Sequence, residues 1–145
     1  MQKQEIFDFI NSNPVLYIAT AEGDQPCVRA IALYKADESG ILFHTGPVKD
    51  FYRQLVANPN VQICVYNQEQ NIQVRVRGKV ERVEDIALKD EIANHPSRTF
   101  MQKWKANCAN PEDFYQMFSV FRLSDGIANV WTFESNFAPK QDVAL

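Results

Sequence analysis

Read for its alternation of apolar and polar positions, the chain breaks into short segments whose period changes repeatedly. Ile6, Phe7, Phe9 and Ile10 stand among Lys, Glu, Asp and Gln between residues 2 and 11. That spacing predicts a short amphipathic helix ending near Asn13-Pro14. Val15 to Thr20 is an apolar run of strand length, and Glu22 to Pro26 supplies Gly and Pro punctuation for a turn. Cys27 to Ala36 reads as a second strand, Asp37 to Gly40 as a turn, and Ile41 to Thr45 as a third strand. Thr45-Gly46-Pro47 interrupts the pattern. A helix from about Val48 to Ala57 follows, stopped by Asn58-Pro59-Asn60, and Val61 to Tyr66 is a fourth strand.

The clearest alternation runs from Ile72 to Val83. Ile72, Val74, Val76 and Val80 share one face with Gly78; Gln73, Arg75, Arg77, Lys79 and Glu81 share the other. This fifth strand should have one core face and one polar face carrying three cations. Asp85 to Asn94 reads as a helix closed by His95-Pro96. Residues 97–117 show no clean period; their aromatic residues suggest short helical pieces covering an end of the sheet. Phe118 to Leu123 and Ile127 to Phe133 read as a final strand pair turning at Ser124-Asp125-Gly126. The tail from Glu134 is polar, contains Pro139, and is expected to be loosely held. Strands with turn-length gaps, then helices, then a last pair predict a mainly β fold with peripheral helices. The expected form is a small antiparallel barrel of six to seven strands, with short helices over its ends. No linker or repeat divides the chain, so residues 1–133 are expected to form one domain and 134–145 its tail.

Composition narrows the picture. A chain of 145 residues suits one domain, and 46% hydrophobic residues can build a full core. The net charge of −3 leaves no basic excess for nucleic acid or an anionic membrane. No apolar run approaches the roughly 20 residues needed to span a bilayer. The polar start, Met1 to Glu5, lacks the plan of a signal peptide, so a cytoplasmic location is expected. Cys27, Cys64 and Cys108 are scattered, with no Cys-x-x-Cys pair, and His44 and His95 are the only histidines. Neither a disulfide framework nor a metal site is expected.

The stretch Ile41 to Leu55 combines strand, tight turn and helix, an arrangement that presents free backbone N–H groups to an anion. Thr45 adds a hydroxyl and Lys49 a positive charge. The plainer reading is an ordinary strand-to-helix connection with a solvated lysine. Arg29, in an otherwise apolar strand, needs either an anion or an outward position, because an unpaired buried cation is costly. Arg75, Arg77 and Lys79 are flanked by Glu69, Glu81 and Glu84, which favours a solvated or subunit-facing surface over a nucleic-acid stripe. Trp104 and Trp131 suit the core. No side chain stands out as an acid, base or nucleophile.

Three segments together resemble the flavin-mononucleotide-binding split barrels related to pyridoxamine 5′-phosphate oxidase. They are Arg29-Ala30-Ile31-Ala32-Leu33; Phe43-His44-Thr45-Gly46-Pro47-Val48-Lys49 with Leu55 and Asn58 to Val61; and Gln73 to Glu81. The resemblance runs from about Ile6 to Phe133. It implies a Greek-key split barrel pairing as a homodimer, with FMN in grooves at the interface. It implies that Arg29 and Lys49 bind the flavin phosphate, completed by Thr45 and the backbone of His44 to Gly46. Backbone of Arg29, Ala30 and Ile31 would face the flavin ring, Gln73 would reach it from the other subunit, and Trp131 would lie close by. The implied activity is a flavin-dependent oxidoreductase acting on a small-molecule substrate or electron donor. The alternatives are a non-catalytic flavin sensor or store, and a related barrel holding haem or a deazaflavin. The segment from Phe133 to Leu145 lacks the Arg and His residues with which the oxidase binds substrate phosphate, so pyridoxamine phosphate is not the expected substrate.

Overall fold

In the computed structural model, which describes all 145 residues, the alternating stretch is a 12-residue strand, β5 (Ile72–Val83). Val74, Val76 and Val80 are buried in the barrel, while Arg77, Lys79 and Glu81 face out. The other strands are β1 (Val15–Glu22), β2 (Gln25–Asp37), β3 (Gly40–Thr45), β4 (Asn60–Asn67), β6 (Ser119–Thr132) and β7 (Asp142–Ala144). All pairings are antiparallel. The order is β3-β2-β1-β4-β5-β6-β7, and an additional β3–β6 ladder closes the first six strands into a barrel. Strands β4-β1-β2-β3 thus lie side by side in the Greek-key order.

The final strand pair expected from the sequence is one continuous 14-residue strand instead. Ser124-Asp125-Gly126 bends β6 without reversing it. Opposite it, Arg77 pairs with Ile127 but Lys79 pairs with Ser124, so Asp125 and Gly126 both face Gly78. This is a β-bulge, with Asp125 at a left-handed φ of 52°. β5 offers ladder partners along both halves of β6, and that outweighs the local turn signal. The bend lets residues Ser119 to Leu123 pair with β3 as well. A Cβ on Gly126 would lie 2.7 Å from side-chain atoms of both Leu123 and Val76, so the bend is packed to contact.

The helices divide between two clusters. α1 (Lys3–Ser12) and α2 (Asp50–Ala57) add Ile6, Phe7, Phe9, Ile10, Phe51 and Leu55 to the core that fills the barrel. α3 (Ile86–Ala93), α4 (Thr99–Ala106) and α5 (Pro111–Gln116) build a second cluster with Leu42 and Val120. Ile41, Phe43 and Phe121 belong to the first cluster, so Leu42 and Val120 point the opposite way. These helices therefore cover the outer side of β3 and β6. The tail is also held more firmly than its polarity suggests. β7 pairs with β6, Asp142 bridges Arg77 at 2.8 Å, and Leu145 N–H donates to Gly126 O.

Gly40 begins β3 at a φ of +120°, and a Cβ there would lie 2.7 Å from the Leu123 carbonyl oxygen. Gly40→Ala should lower stability by roughly 2 kcal/mol or more, from backbone strain and the clash with the closing strand. Urea denaturation of both proteins checks this; an unchanged midpoint would mean the β3–β6 seam can yield at no cost.

Candidate functional site

Arg29, Ala30 and Ile31 lie on β2. His44 and Thr45 end β3, and Gly46 and Lys49 lead into α2. These seven residues line one cavity of about 390 Å³, with Phe51, Trp104, Met117 and Phe118 adding apolar wall. The volume falls in the range of roughly 300–1,000 Å³ typical of small-molecule sites.

The Arg29 guanidinium is bonded only to neutral groups. Nη1 donates to the Ile18 carbonyl at 3.2 Å and to Thr20 Oγ1 at 2.8 Å, and Nη2 donates to Gln54 Oε1. It lies over the Phe51 ring, 4.6 Å from its centre. No carboxylate pairs with it. Burial pulls its pKa below the ordinary arginine value, though arginine remains charged. The buried amide of Gln54 links it to Glu22, which itself pairs with Arg53. The cation is thus oriented by fixed dipoles and left without a neutralising charge.

Lys49 is exposed and makes no ion pair. Its backbone N–H donates to Gly46 O at 3.0 Å. This turn delays α2 to Asp50, two residues beyond the expected start. Thr45 is buried, yet its hydroxyl has no partner in the chain and is not sealed from solvent. A Cβ on Gly46 would lie 3.3 Å from the Met117 carbonyl oxygen, so this turn passes close to the chain that leads into β6.

His44 Nε2 accepts from Arg98 Nε at 2.9 Å. Burial first, then the charges of Arg98 and Lys49, pull its pKa down to about 4. The ring is neutral at pH 7. Arg98, only 4% exposed, was not legible in the sequence. It sits in the segment without a period, in a 3-10 turn (Pro96–Arg98), and its signal was only a cation among aromatic residues. It also donates to the Leu33 carbonyl at 2.6 Å and has no carboxylate partner.

Gln73 and Trp131 are not in this cavity. They are cross-strand neighbours on β5 and β6. Gln73 Oε1 accepts from Cys64 Sγ, and Trp131 Nε1 donates to Asn136 Oδ1 at 2.9 Å. Trp131 lines a second cavity, of about 270 Å³, with Arg75, Asn129 and Lys140. No cluster of three or more His, Cys, Asp or Glu side chains is placed to hold a metal. No helix is long and apolar enough to cross a membrane.

The low pKa of His44 has a consequence for stability. In the unfolded chain the ring titrates near 6.5, in the folded chain near 4. Above pH 6.5 both forms hold it neutral and it adds no pH dependence. Between pH 6.5 and 4 only the unfolded chain takes up the proton, so stability falls with pH, by about 3 kcal/mol at most. The denaturation midpoint should therefore drop more steeply over this window than that of His44→Gln; parallel curves would contradict the assignment.

The family described as pyridoxamine 5′-phosphate oxidase matches residues 2–123. A pyridoxine/pyridoxamine 5′-phosphate oxidase of Myxococcus xanthus is 33% identical over 76 residues, which are 52% of this chain and 37% of that protein. The chain spans about a third to about a half of the length of the curated relatives it matches. Among solved structures, a NimC/NimA family protein of Clostridium acetobutylicum superposes with a TM-score of 0.75 at 22% identity, over 98% of this chain and 92% of that one. A pyridoxamine 5′-phosphate oxidase-related, FMN-binding protein of Nostoc punctiforme superposes with a TM-score of 0.66 at 14% identity, over 99% and 96%. At those identities the two structures speak for the fold alone. The family match covers most of the chain: this chain belongs to the pyridoxamine 5′-phosphate oxidase family.

Proposed function

We propose that this protein binds flavin mononucleotide in the 390 Å³ cavity and acts as a flavin-dependent oxidoreductase on a small molecule, as a homodimer. The observation that carries the reading is Arg29. It is a half-buried cation held rigidly by neutral acceptors, without an acid, beside Lys49 and the free hydroxyl of Thr45. Such a set suits a phosphate monoester, gripped by a guanidinium and neutralised by an ammonium. The apolar remainder of the cavity suits a planar ring, and the FMN-binding Nostoc relative shares the fold. When bound, a flavin would supply the redox chemistry. The chain's own residues bind the phosphate, orient the ring and exclude water. The one imidazole in the cavity has its Nε2 engaged by Arg98, which disfavours the haem alternative.

A second copy is the reading we give to the outer face of β2, β1 and β4. Val15, Tyr17, Val28 and Tyr66 are 63%, 52%, 69% and 46% exposed there. Tyr17 pairs with Ala30, which lines the cavity, so the apolar patch reaches its rim. A neighbouring subunit on this patch would cover the rim and bring its own outward residues, Gln73 and Trp131, toward the flavin.

Arg29→Ala and Lys49→Ala should each weaken FMN binding by roughly 1.5–3 kcal/mol, about 10- to 150-fold, while the assembly state is kept. Titration followed by flavin fluorescence and by sedimentation checks both. Unchanged affinity in both variants would remove the phosphate assignment. For the wild-type protein, a flavin absorbance spectrum retained after desalting is expected. Reduction of that flavin by NADH or NADPH with turnover of an added acceptor separates the enzyme from a flavin store, which would show none.

A further inference from the structure

The cavity holds a device that phosphate binding does not use. Arginine is only a donor, so the 2.9 Å contact from Arg98 Nε requires a lone pair on His44 Nε2. The ring proton of neutral His44 must then sit on Nδ1. Nδ1 makes no hydrogen bond within the chain and is not sealed from solvent, and the ring lines the cavity. Phe118 and Phe100 flank the imidazole, with ring centres 5.9 and 6.5 Å away. The charged groups that bear on it are Arg98 and, ahead of α2, Lys49; no carboxylate contributes. His95 is wired the opposite way. Its Nδ1 accepts from the Ser97 N–H, which leaves the proton on Nε2. The two histidines of the chain are thus fixed in different tautomers by their hydrogen-bond partners.

Arg98 is itself over-determined for this task. It is nearly fully buried, tied to Leu33 O and to Ser97, and its Tyr34 neighbour is 5.8 Å from the guanidinium carbon. An arginine kept inside without an acid costs stability, and what it gains here is a set of directed N–H bonds. We propose that Arg98 is a positioning residue that forces the His44 proton onto Nδ1 and holds that N–H toward the cavity, where it donates to a carbonyl-type acceptor of the bound ligand. The ligand contact rests on the flavin reading above, since a flavin carries such acceptors on its ring; the tautomer lock does not.

The test uses the full-length protein labelled with ¹⁵N-histidine, with His44→Gln assigning the two rings. Without ligand, His44 should show the Nδ1–H pattern unchanged from pH 5 to 8, and the neutral form of His95 the Nε2–H pattern. In a uniformly ¹⁵N-labelled sample, a nitrogen–nitrogen coupling across the hydrogen bond from Arg98 Nε to His44 Nε2 is expected. Arg98→Met keeps an aliphatic stem but carries no donor. It should give a mixed tautomer at His44, leaving His95 as it was. A wild-type His44 protonated on Nε2, or an Nδ1–H pattern unchanged in folded Arg98→Met, overturns the lock. On saturation with FMN the Nδ1 proton should shift and exchange more slowly. His44→Gln and Arg98→Met should each weaken FMN binding by about fivefold, and the double variant no further than either alone. An Nδ1 proton that does not respond to bound FMN overturns the ligand contact. Failure of FMN to bind at all would instead sink the proposed function, with the tautomer still read from the ligand-free protein.

Discussion

The structure depends on one strand serving two neighbours. β6 must pair with β3 near its start and with β5 along its whole length, or the barrel stays open. A straight strand could not follow both edges, so the bulge at Asp125 and Gly126 takes up the bend. Closure removes two free sheet edges and seals the interior around Phe43, Phe121, Val74 and Val76. It also fixes where β3 ends. Thr45 is paired with Ser119 at the seam, and the chain leaves the barrel there. The turn from Gly46 to Lys49 and the start of α2 are therefore placed by barrel closure, and the cavity with them.

Charge in the cavity follows from what the barrel withholds. Several exposed cations of this chain find acids: Arg53 pairs with Glu22, Arg77 with Asp142 and Arg82 with Glu84. Arg29 and Arg98 do not, although both are removed from solvent more than those residues. Their guanidinium groups are held by carbonyls, a hydroxyl, an amide and an imidazole. Neutral acceptors fix direction without cancelling charge. One of these cations faces the cavity directly, and the other acts on it through His44. The pair gives a site that is positive and partly apolar-walled, where the attraction for an anionic ligand is stronger than on open surface.

Much of this was legible in the chain. The period of two in Ile72 to Val83 set both the strand and its inward face. Seven of the nine residues singled out beforehand converge on one cavity, because they lie on adjacent antiparallel strands and the turn that follows. Gln73 and Trp131 were singled out by resemblance, and within a single chain they stand together on the outer face of β5 and β6. The errors have a common cause. Ser124-Asp125-Gly126 has the composition of a turn, and the tail has the composition of a loose end. Each was decided by partners far away in sequence: β5 opposite the bulge, and β6 beside β7.

The sequence by itself determined the first five strands, the helix that follows the turn after β3, and the residue types available to hold an anion. Local periodicity and turn chemistry suffice for that, since they act over a few neighbouring residues. The tertiary structure alone decided the continuity of β6, the docking of the tail and the entry of Arg98 into the site. Arg98 lies 54 positions from His44 and is joined to it by one hydrogen bond. A contact of that kind leaves no period and no local composition behind. It exists because closure of the barrel brings the segment before α4 against the end of β3, where a donor-only side chain meets the lone pair of a neutral ring.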